Sequence, residues 1–263
     1  MLHGANCDLR MRIRRGELTG PTSGMALGFV QCNIVIVSDR YAADFHRFCQ
    51  QNPKPCPLLA INPAPGAIDL PELVNDLDIR SDLPRYRLWH NGVCIDEPGD
   101  IKANWRDDAV VFALGCSFSF EEALTSAGIE IRHISQGCNV PMYETNKPCV
   151  SAGVFSGNLV VSMRPLPAEH VQLAYDICAR YPSVHGEPIH AGDPAELGIS
   201  NINEPDFGDA VTLKNDEIPV FWACGVTPQV ALARARLPWA ITHAPGHMLI
   251  TDTLNTELAV TNS

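Results

Sequence analysis

The stretch VVFALGCSFSFEEAL, residues 110–124, contains an apolar run, a Gly-Cys pair and then a segment typical of a helix. The apolar run is short and rich in Val and Phe, so it predicts a buried strand. Ser119 and Glu122 have the spacing of a capping box, which predicts that the helix begins near Ser119. The stretch therefore predicts a strand that passes into a helix through a turn at Cys116.

The same pattern occurs again in PVFWACGVTPQVALARAR, residues 219–236. Cys224 and Gly225 follow the apolar run, Thr227 suits the N-cap and Pro228 suits the first helical position. Free backbone N–H groups and the positive end of a helix meet at such turns, which favours a lowered thiol pKa and the binding of carboxylates. Two facing turns would hold a molecule with two carboxylates. The alternative for each cysteine is packing in the core.

Working outward from these turns, strands and helices alternate along the chain. Strands are predicted at 33–37, 110–114, 159–163 and 218–223, and helices at 6–15, 41–51, 119–127, 168–180 and 228–236. The alternation favours an α/β fold, with a mixed, partly parallel sheet flanked by helices. Longer loops in the middle third favour a smaller inserted α+β two-layer domain. The expected division is a main α/β domain of residues 1–128 and 216–263, with the insertion at 129–215.

Composition excludes several classes of protein. Of 263 residues 46% are hydrophobic and 19% charged, which is enough apolar material for a core and excludes a disordered chain. A net charge of −11 disfavours nucleic acid and anionic membranes as partners. No apolar run approaches the length of a membrane helix, and the ten cysteines form no C-x-x-C pair. The expectation is a soluble cytoplasmic protein with reduced thiols, no metal and no cofactor. Homodimer formation is left open.

Several polar residues are candidates for binding an anionic substrate. The loop at 20–24 presents the hydroxyls of Thr22 and Ser23 beside backbone N–H groups. Asn139 begins a turn, and Arg164 lies at the carboxyl end of a predicted strand, where ligands of α/β folds gather.

A cluster of arginines is a second candidate for anion binding. Arg80, Arg85 and Arg87 lie within eight residues of an acidic chain and could clamp a carboxylate. A structural ion-pair network with Asp78 and Asp82 is an equal alternative.

Histidines supply the candidates for proton transfer. His243 and His247 form a pair suited to general acid–base chemistry near neutral pH. His185, His190 and Asp193 offer metal-ligand atoms, but their spacing matches no zinc signature, and a hydrogen-bonded structural corner is the preferred interpretation.

Taken together and in order, the motifs resemble the D-glutamate cyclase family, whose bacterial members are usually labelled hydro-lyases. The segments that carry the resemblance span nearly the whole chain: GPTSGMALGFVQCN (20–33), FCQQNPKPCPLL (48–59), DIRSDLPRYRLW (78–89), GCSFSFEEAL (115–124), NVPMYETN (139–146), VSMRP (161–165), HGEPIHAGDP (185–194), PVFWACGVTPQ (219–229) and ITHAPGHMLITD (241–252). The resemblance implies two α/β-type domains, no known cofactor, a role in amino-acid metabolism and the dehydration of D-glutamate to 5-oxo-D-proline. It supplies no catalytic residue set.

Roles are therefore assigned from the residues themselves. The turn at Cys116, with Ser117 and Ser119, is predicted to hold one carboxyl group and its oxyanion. The turn formed by Cys224, Gly225 and Thr227 is predicted to face the other end of the substrate. The remaining groups are Arg80, Arg85 or Arg164 for the α-carboxylate, His243 or His247 as base, and Cys116 or Cys224 as acid.

Three alternatives stay open at this stage. Two cysteines could transfer a proton at the carbon next to a carboxylate, as in cofactor-independent racemases and epimerases. A hydro-lyase could act on a hydroxy acid instead. A non-catalytic binder of amino or dicarboxylic acids that regulates a partner is the third.

Overall fold

The computed structural model describes residues 3–260. The strands are β1 (Phe29–Ser38), β2 (Leu58–Ile61), β3 (Tyr86–His90), β4 (Val93–Asp96), β5 (Ala109–Gly115), β6 (Met142–Pro148), β7 (Asn158–Pro167), β8 (His190–Ala191), β9 (Glu217–Ala223), β10 (Ala240–His243) and β11 (Leu249–Leu254). The helices are α1 (His3–Arg14), α2 (Asp39–Gln51), α3 (Phe118–Ser126), α4 (Arg132–Ser135), α5 (Val171–Cys178) and α6 (Thr227–Ala235). Each strand and helix predicted from the sequence has a counterpart in this set.

Strand β1 is the centre of the larger sheet. The strand order is β2-β5-β1-β10-β3-β4, and β11 pairs with the other end of β1 on the β10 side. All ten residues of β1 are buried because apolar clusters cover both faces of the sheet. Only Gln31 and Asn33 interrupt the apolar run of β1 at its interior, and successive side chains of a strand alternate between faces, so these two polar side chains point to the same side.

The second sheet has the order β6-β7-β9-β8. The chain passes from the larger sheet to the smaller one after β5, at Cys116, and returns after β9, at Cys224. Each of these two passages is followed directly by a helix, α3 or α6. The cysteine-bearing turns are therefore the places where the described chain moves between the sheets.

The predicted α/β class is confirmed, but the expectation of a partly parallel sheet is wrong. Every strand pairing among residues 3–260 is antiparallel. A parallel pair needs a crossover that returns the chain to the same sheet. Here α3 and α6 lead from one sheet to the other instead, so the alternation of strand and helix creates no parallel neighbours.

The domain boundaries at 129 and 216 stay a prediction. The second sheet extends from Met142 to Ala223, and β9 pairs with β7 along its whole length. Strand β9 thus belongs to the second sheet, although its residues lie in the segment predicted for the main domain. Among residues 3–260, no helix combines the length and apolar character needed to cross a membrane.

His185 forms a contact between the loop after α5 and the loop after α2. Its ring Nδ1 lies 2.7 Å from the carbonyl oxygen of Lys54, and its backbone has a positive φ of 87°. The ring is buried, and burial lowers the pKa of His185 to about 4. The folded protein therefore holds this imidazole in its neutral form at neutral pH.

This burial predicts a pH-dependent stability. A histidine in the unfolded chain titrates near pH 6.5. Between pH 6.5 and about 4, the unfolded state therefore binds a proton at this histidine and the folded state does not. The contribution of His185 is complete above that range and is lost as the pH falls through it. His185→Asn, which tolerates a positive φ, should make the dependence of the unfolding free energy on pH shallower by about 1 kcal/mol per pH unit. Urea unfolding between pH 4.5 and 7 measures this slope. An equal pH dependence of the unfolding free energy in the parent protein and in His185→Asn would contradict the prediction.

Candidate active site

The structure brings the two cysteine-bearing turns together. Cys116 and Cys224 belong to one buried cluster that also contains Phe118, Met142 and Met248. In each turn the backbone N–H of the residue two positions further on, Phe118 or Val226, acts to lower the pKa of the thiol. The two turns therefore have the same local geometry and share one interior.

Burial dominates the acidity of both thiols. It raises the pKa of Cys224 to about 11 and that of Cys116 further, outweighing the backbone N–H groups that act in the other direction. The proximity of Cys224 raises the pKa of Cys116 as well. The expectation of lowered thiol pKa values is therefore wrong, because desolvation exceeds the effect of the helix ends. Both thiols are protonated at neutral pH, so they can donate protons and hydrogen bonds.

The thiols are enclosed but not sealed. Cys116 is 6% exposed and Cys224 8% exposed. A cavity of about 400 Å³ is lined by Phe118 and Glu121, and one of about 280 Å³ by Ser23 and His133. Neither thiol lines either cavity. A substrate that meets both thiols therefore requires the walls between them and these cavities to move.

Asn33 of strand β1 connects the two turns. Its Nδ2 donates a 2.7 Å hydrogen bond to the carbonyl oxygen of Gly115, directly before Cys116. The same amide packs against Gly225, where a Cβ atom would overlap it, so only glycine fits beside Cys224. The sequence analysis missed this role. The signal was a polar residue inside an otherwise apolar strand.

Arg164 is a fully buried charge at the centre of the site region. Its guanidinium Nε donates to Glu121 Oε1 at 3.0 Å, and Nη1 and Nη2 donate to the hydroxyls of Ser162 and Ser117 at 3.1 and 2.9 Å. The guanidinium carbon also lies 5.1 Å from the ring centroid of Trp222. Arg164 thus ties β7 to the N-terminal end of α3, and its donors serve the protein rather than an open pocket.

Glu121 is the carboxylate partner in this interior. Burial alone would raise its pKa, but His133 and Arg164 together lower it below the usual value. The carboxylate is therefore ionised at neutral pH although only 3% of the residue is exposed. Sequence analysis named the next residue, Glu122, as the capping carboxylate and missed Glu121 and His133.

The predicted helix caps are wrong in detail. The N-cap positions are Ser117 and Val226, and neither makes a side-chain capping bond. The Ser119 hydroxyl instead accepts the backbone N–H of Gln31 at 3.1 Å. The Thr227 hydroxyl donates to the carbonyl of Cys224 at 2.7 Å. The hydroxyls of Ser119 and Thr227 therefore hold the turns in place.

The loop that contains Thr22 docks on the segment that contains the predicted histidine pair. The Thr22 hydroxyl donates to the Gly246 carbonyl at 3.2 Å and accepts the backbone N–H of Met248 at 3.1 Å. Asn139 joins from the other side, with its Nδ2 donating to the carbonyl of Pro245 at 3.1 Å. Three segments predicted to bind substrate thus converge, although Thr22 itself is occupied by this packing.

His243 and His247 have different environments. His243 is buried, and its Nδ1 lies 3.1 Å from both the backbone N and O of Ile34. Its Nε2 has no hydrogen-bond partner among residues 3–260. Burial lowers the pKa of His243 to about 4, which weakens it as a base at neutral pH. His247 is half-buried, and burial followed by the charge of Arg85 lowers its pKa.

Two of the clustered arginines are engaged in ion pairs. Arg80 Nε lies 2.8 Å from an oxygen of Asp78, and Arg87 Nε lies 2.7 Å from an oxygen of Glu97. Arg85 is exposed and, among residues 3–260, forms no salt bridge. Of the three, Arg85 has the guanidinium most available to an anion.

The histidines considered for a metal point to backbone carbonyls. His185 bonds to the Lys54 oxygen, and His190 Nε2 lies 2.9 Å from the carbonyl oxygen of Asp193. Within the described part of the chain, no group of three His, Cys, Asp or Glu side chains is arranged to hold a metal ion.

Comparisons with known proteins agree with the sequence motifs. The D-glutamate cyclase family model matches residues 110–252. A protein from Bordetella pertussis that carries the name "Putative hydro-lyase" is 57% identical over 258 residues, which cover 98% of this chain and 93% of that protein. One with the same name from Bradyrhizobium sp. strain ORS 278 is 58% identical over 239 residues, covering 91% and 88%. The crystal structure of a nitrogen repressor-like protein from Methanococcus jannaschii aligns with a TM-score of 0.38 and 9% identity over 93% of this chain and 97% of that one, too low to indicate a common fold.

The buried pair predicts a large loss of stability on truncation of Arg164. Arg164→Ala leaves the Glu121 carboxylate buried without its guanidinium, and it should lower the unfolding free energy by about 3–5 kcal/mol. The matched control is Arg47→Ala, which removes a surface ion pair with Asp44 and should cost about 0.5 kcal/mol or less. Urea unfolding of both variants measures the difference. Equal losses would show that Arg164 contributes no more than a surface charge.

Proposed function

Because the chain belongs to the D-glutamate cyclase family, we propose that it dehydrates D-glutamate to 5-oxo-D-proline at the two cysteine-bearing turns. Its relatives carry hydro-lyase names, and the chain is a hydro-lyase. The substrate and its enantiomer are the proposed part. The observation that carries the proposal is the convergence of Cys116 and Cys224, each at the start of a helix, in one interior.

Lactam closure sets clear requirements for the site. The α-ammonium loses a proton, the amine nitrogen attacks the γ-carboxyl carbon, and a C–N bond forms while a C–O bond breaks. Two protons leave the nitrogen in total, and both finish on the departing oxygen as water. The site must therefore take protons from nitrogen, give protons to oxygen and stabilise a tetrahedral oxyanion. Holding the substrate in a bent conformation supplies a further part of the rate.

Neutral thiols suit the proton-donating part of this reaction. With pKa values raised by burial, Cys116 and Cys224 carry their protons at neutral pH. A thiol beside the tetrahedral intermediate can donate to its oxygen as that oxygen leaves. The positive end of each helix dipole, at the start of α3 and of α6, would stabilise the negative charge that develops there.

The carboxylate that does not react needs its own partner. Arg164 donates its hydrogen bonds to Glu121 and to two hydroxyls, so we assign it a role in positioning the turn at Cys116 and not in binding the substrate. Arg85 is exposed, its carbonyl oxygen accepts the backbone N–H of Ala244, and its charge acts on His247. We therefore assign the α-carboxylate to Arg85, in preference to Arg80, whose guanidinium is paired with Asp78.

A second candidate function follows from the same pair of thiols. Two cysteines that share one interior could also racemise an amino acid: one, as a thiolate, would remove the α-hydrogen, and the other, as a thiol, would give a proton to the opposite face. Incubation of D- and L-glutamate in heavy water separates the two reactions. Exchange of the α-hydrogen without formation of 5-oxoproline would favour the racemase, whereas formation of 5-oxoproline without exchange supports cyclisation. Saturable binding of glutamate without either change would favour a binding protein.

The proposal predicts that each thiol is needed for turnover. Cys116→Ala and Cys224→Ala should each lower the rate of 5-oxoproline formation by about tenfold or more, because a proton donor is lost. The melting temperature of each variant should stay within a few degrees of the parent. Cys178→Ala is the matched control, because Cys178 is also buried but lies in a different cluster, at the end of α5. Mass spectrometry of the product measures all three, and parent-like turnover in both site variants would refute the assignment.

A further inference from the structure

We propose that His133 is the group that carries protons between the substrate and the site, with the Ser23 hydroxyl placed between the imidazole and the substrate. The inference rests on the proposed function, because it names the base that lactam closure requires. The sequence offers no indication that His133 and Ser23 are neighbours, since the two residues are far apart in the chain.

One ring nitrogen of His133 faces both a hydroxyl and a carboxylate. Its Nε2 lies 3.0 Å from Ser23 Oγ and 3.4 Å from an oxygen of Glu121. Its ring stacks on Phe118 with a centroid separation of 6.1 Å. Phe118 belongs to the same cluster as the two thiols, so His133 lies against the interior in which Cys116 and Cys224 meet.

A cavity gives a small molecule access to this pair. Its volume is about 280 Å³, and its lining includes Ser23, His133, Asn139, Cys138 and Asp209. This volume is close to the lower end of the range for ligand sites, which suits a small amino acid. Ser23 is half-buried while His133 is only 1% exposed, so the hydroxyl meets the ligand before the ring does.

The chemistry of the lining suits the amine end of the substrate. Asp209 contributes a carboxylate to the wall, and this carboxylate also accepts the backbone N–H of Asn139 at 2.9 Å. A carboxylate attracts an ammonium group and repels the two carboxylates of glutamate. The α-ammonium would therefore enter beside Asp209 and Ser23, with the γ-carboxyl group directed towards the thiols.

The proton path balances in this arrangement. The α-ammonium gives a proton to the Ser23 oxygen as that hydroxyl passes its own proton to His133 Nε2. After the C–N bond forms, the imidazolium returns this proton by the same route to one oxygen of the γ-carboxyl group. The nitrogen then gives its second proton along the same path to the same oxygen, which leaves as water as the C–O bond breaks. No proton is gained or lost overall, and the thiols can assist the second transfer without changing this balance.

The charges that face His133 favour this cycle. Glu121 on α3 is ionised, and one of its carboxylate oxygens lies 3.4 Å from His133 Nε2. Arg164 on β7 opposes that charge but is bound to the same carboxylate. Asp209 and Cys138 line the same cavity as the ring. His243, by contrast, has a pKa of about 4 and no carboxylate among its hydrogen-bond partners.

The test compares variants of His133 and Ser23 with a matched histidine. His133→Gln keeps a hydrogen-bonding side chain and should lower kcat for 5-oxoproline formation by about 100-fold, and Ser23→Ala by about tenfold. His170→Gln, at the start of α5, is the control and should leave kcat unchanged. His133→Ala should recover at least part of its lost activity when free imidazole is added, because the adjoining cavity can admit it. A structural role alone would not give this recovery.

The outcomes separate this inference from the function on which it rests. Reduced kcat in His133→Gln and Ser23→Ala, with rescue of His133→Ala by imidazole, supports the inference. Parent-like kcat in Ser23→Ala, or in a folded His133→Gln, overturns it while cyclisation by the parent protein stands. If the His133 variants do not fold, the kcat of Ser23→Ala decides. No 5-oxoproline formation by the parent protein removes the proposed function, and this inference with it.

Discussion

The pairing of Arg164 with Glu121 is the constraint on which the site depends. A guanidinium with no solvent exposure must find its partners inside the protein, because an isolated buried charge is very costly. Arg164 finds them in Glu121, Ser117 and Ser162. Since Glu121 and Ser117 lie at the start of α3, the ion pair fixes the end of that helix against β7. Cys116, one residue before Ser117, takes its position from the same pair.

The path of the chain explains why the two turns meet. A chain that leaves one sheet for another and later returns has to pass the boundary between the sheets twice. Here both passages carry a cysteine, and Asn33 on the central strand β1 contacts both of them. The two similar sequence motifs thus lie at equivalent positions, each where the chain passes between the two sheets. Glycine at position 225 leaves room for the Asn33 amide, and glycine at position 115 leaves room for the backbone of Ser183 and Val184, since a side chain at either position would overlap these neighbours.

Local patterns in the sequence predicted local structure well and its assembly less well. The apolar runs at 110–114 and 218–223 identified β5 and β9, and the motifs identified the family. The direction of strand pairing was wrong, because a strand followed by a helix does not reveal which sheet the next strand joins. The prediction of lowered thiol pKa values was wrong because burial, which raises them, depends on segments that are distant in the sequence. Glu121 and His133 were missed for the same reason: a charged residue in a helix usually faces solvent, and the sequence does not show that Glu121 pairs with Arg164 or that His133 stacks on Phe118.

The raised pKa values of the two thiols divide the roles in the site. A group whose pKa lies well above neutral holds its proton at neutral pH, so it can serve as a donor but accepts a proton only after it has given its own. Removal of a proton from an ammonium therefore needs a separate group that begins the cycle unprotonated. His243 remains neutral but binds a proton too weakly, because burial lowers its pKa to about 4. His133 has the ionised Glu121 beside its ring and a hydroxyl that reaches a cavity. A site with two neutral thiols on one side and this imidazole on the other has both a donor and an acceptor, which is what the transfer of two protons from nitrogen to oxygen requires.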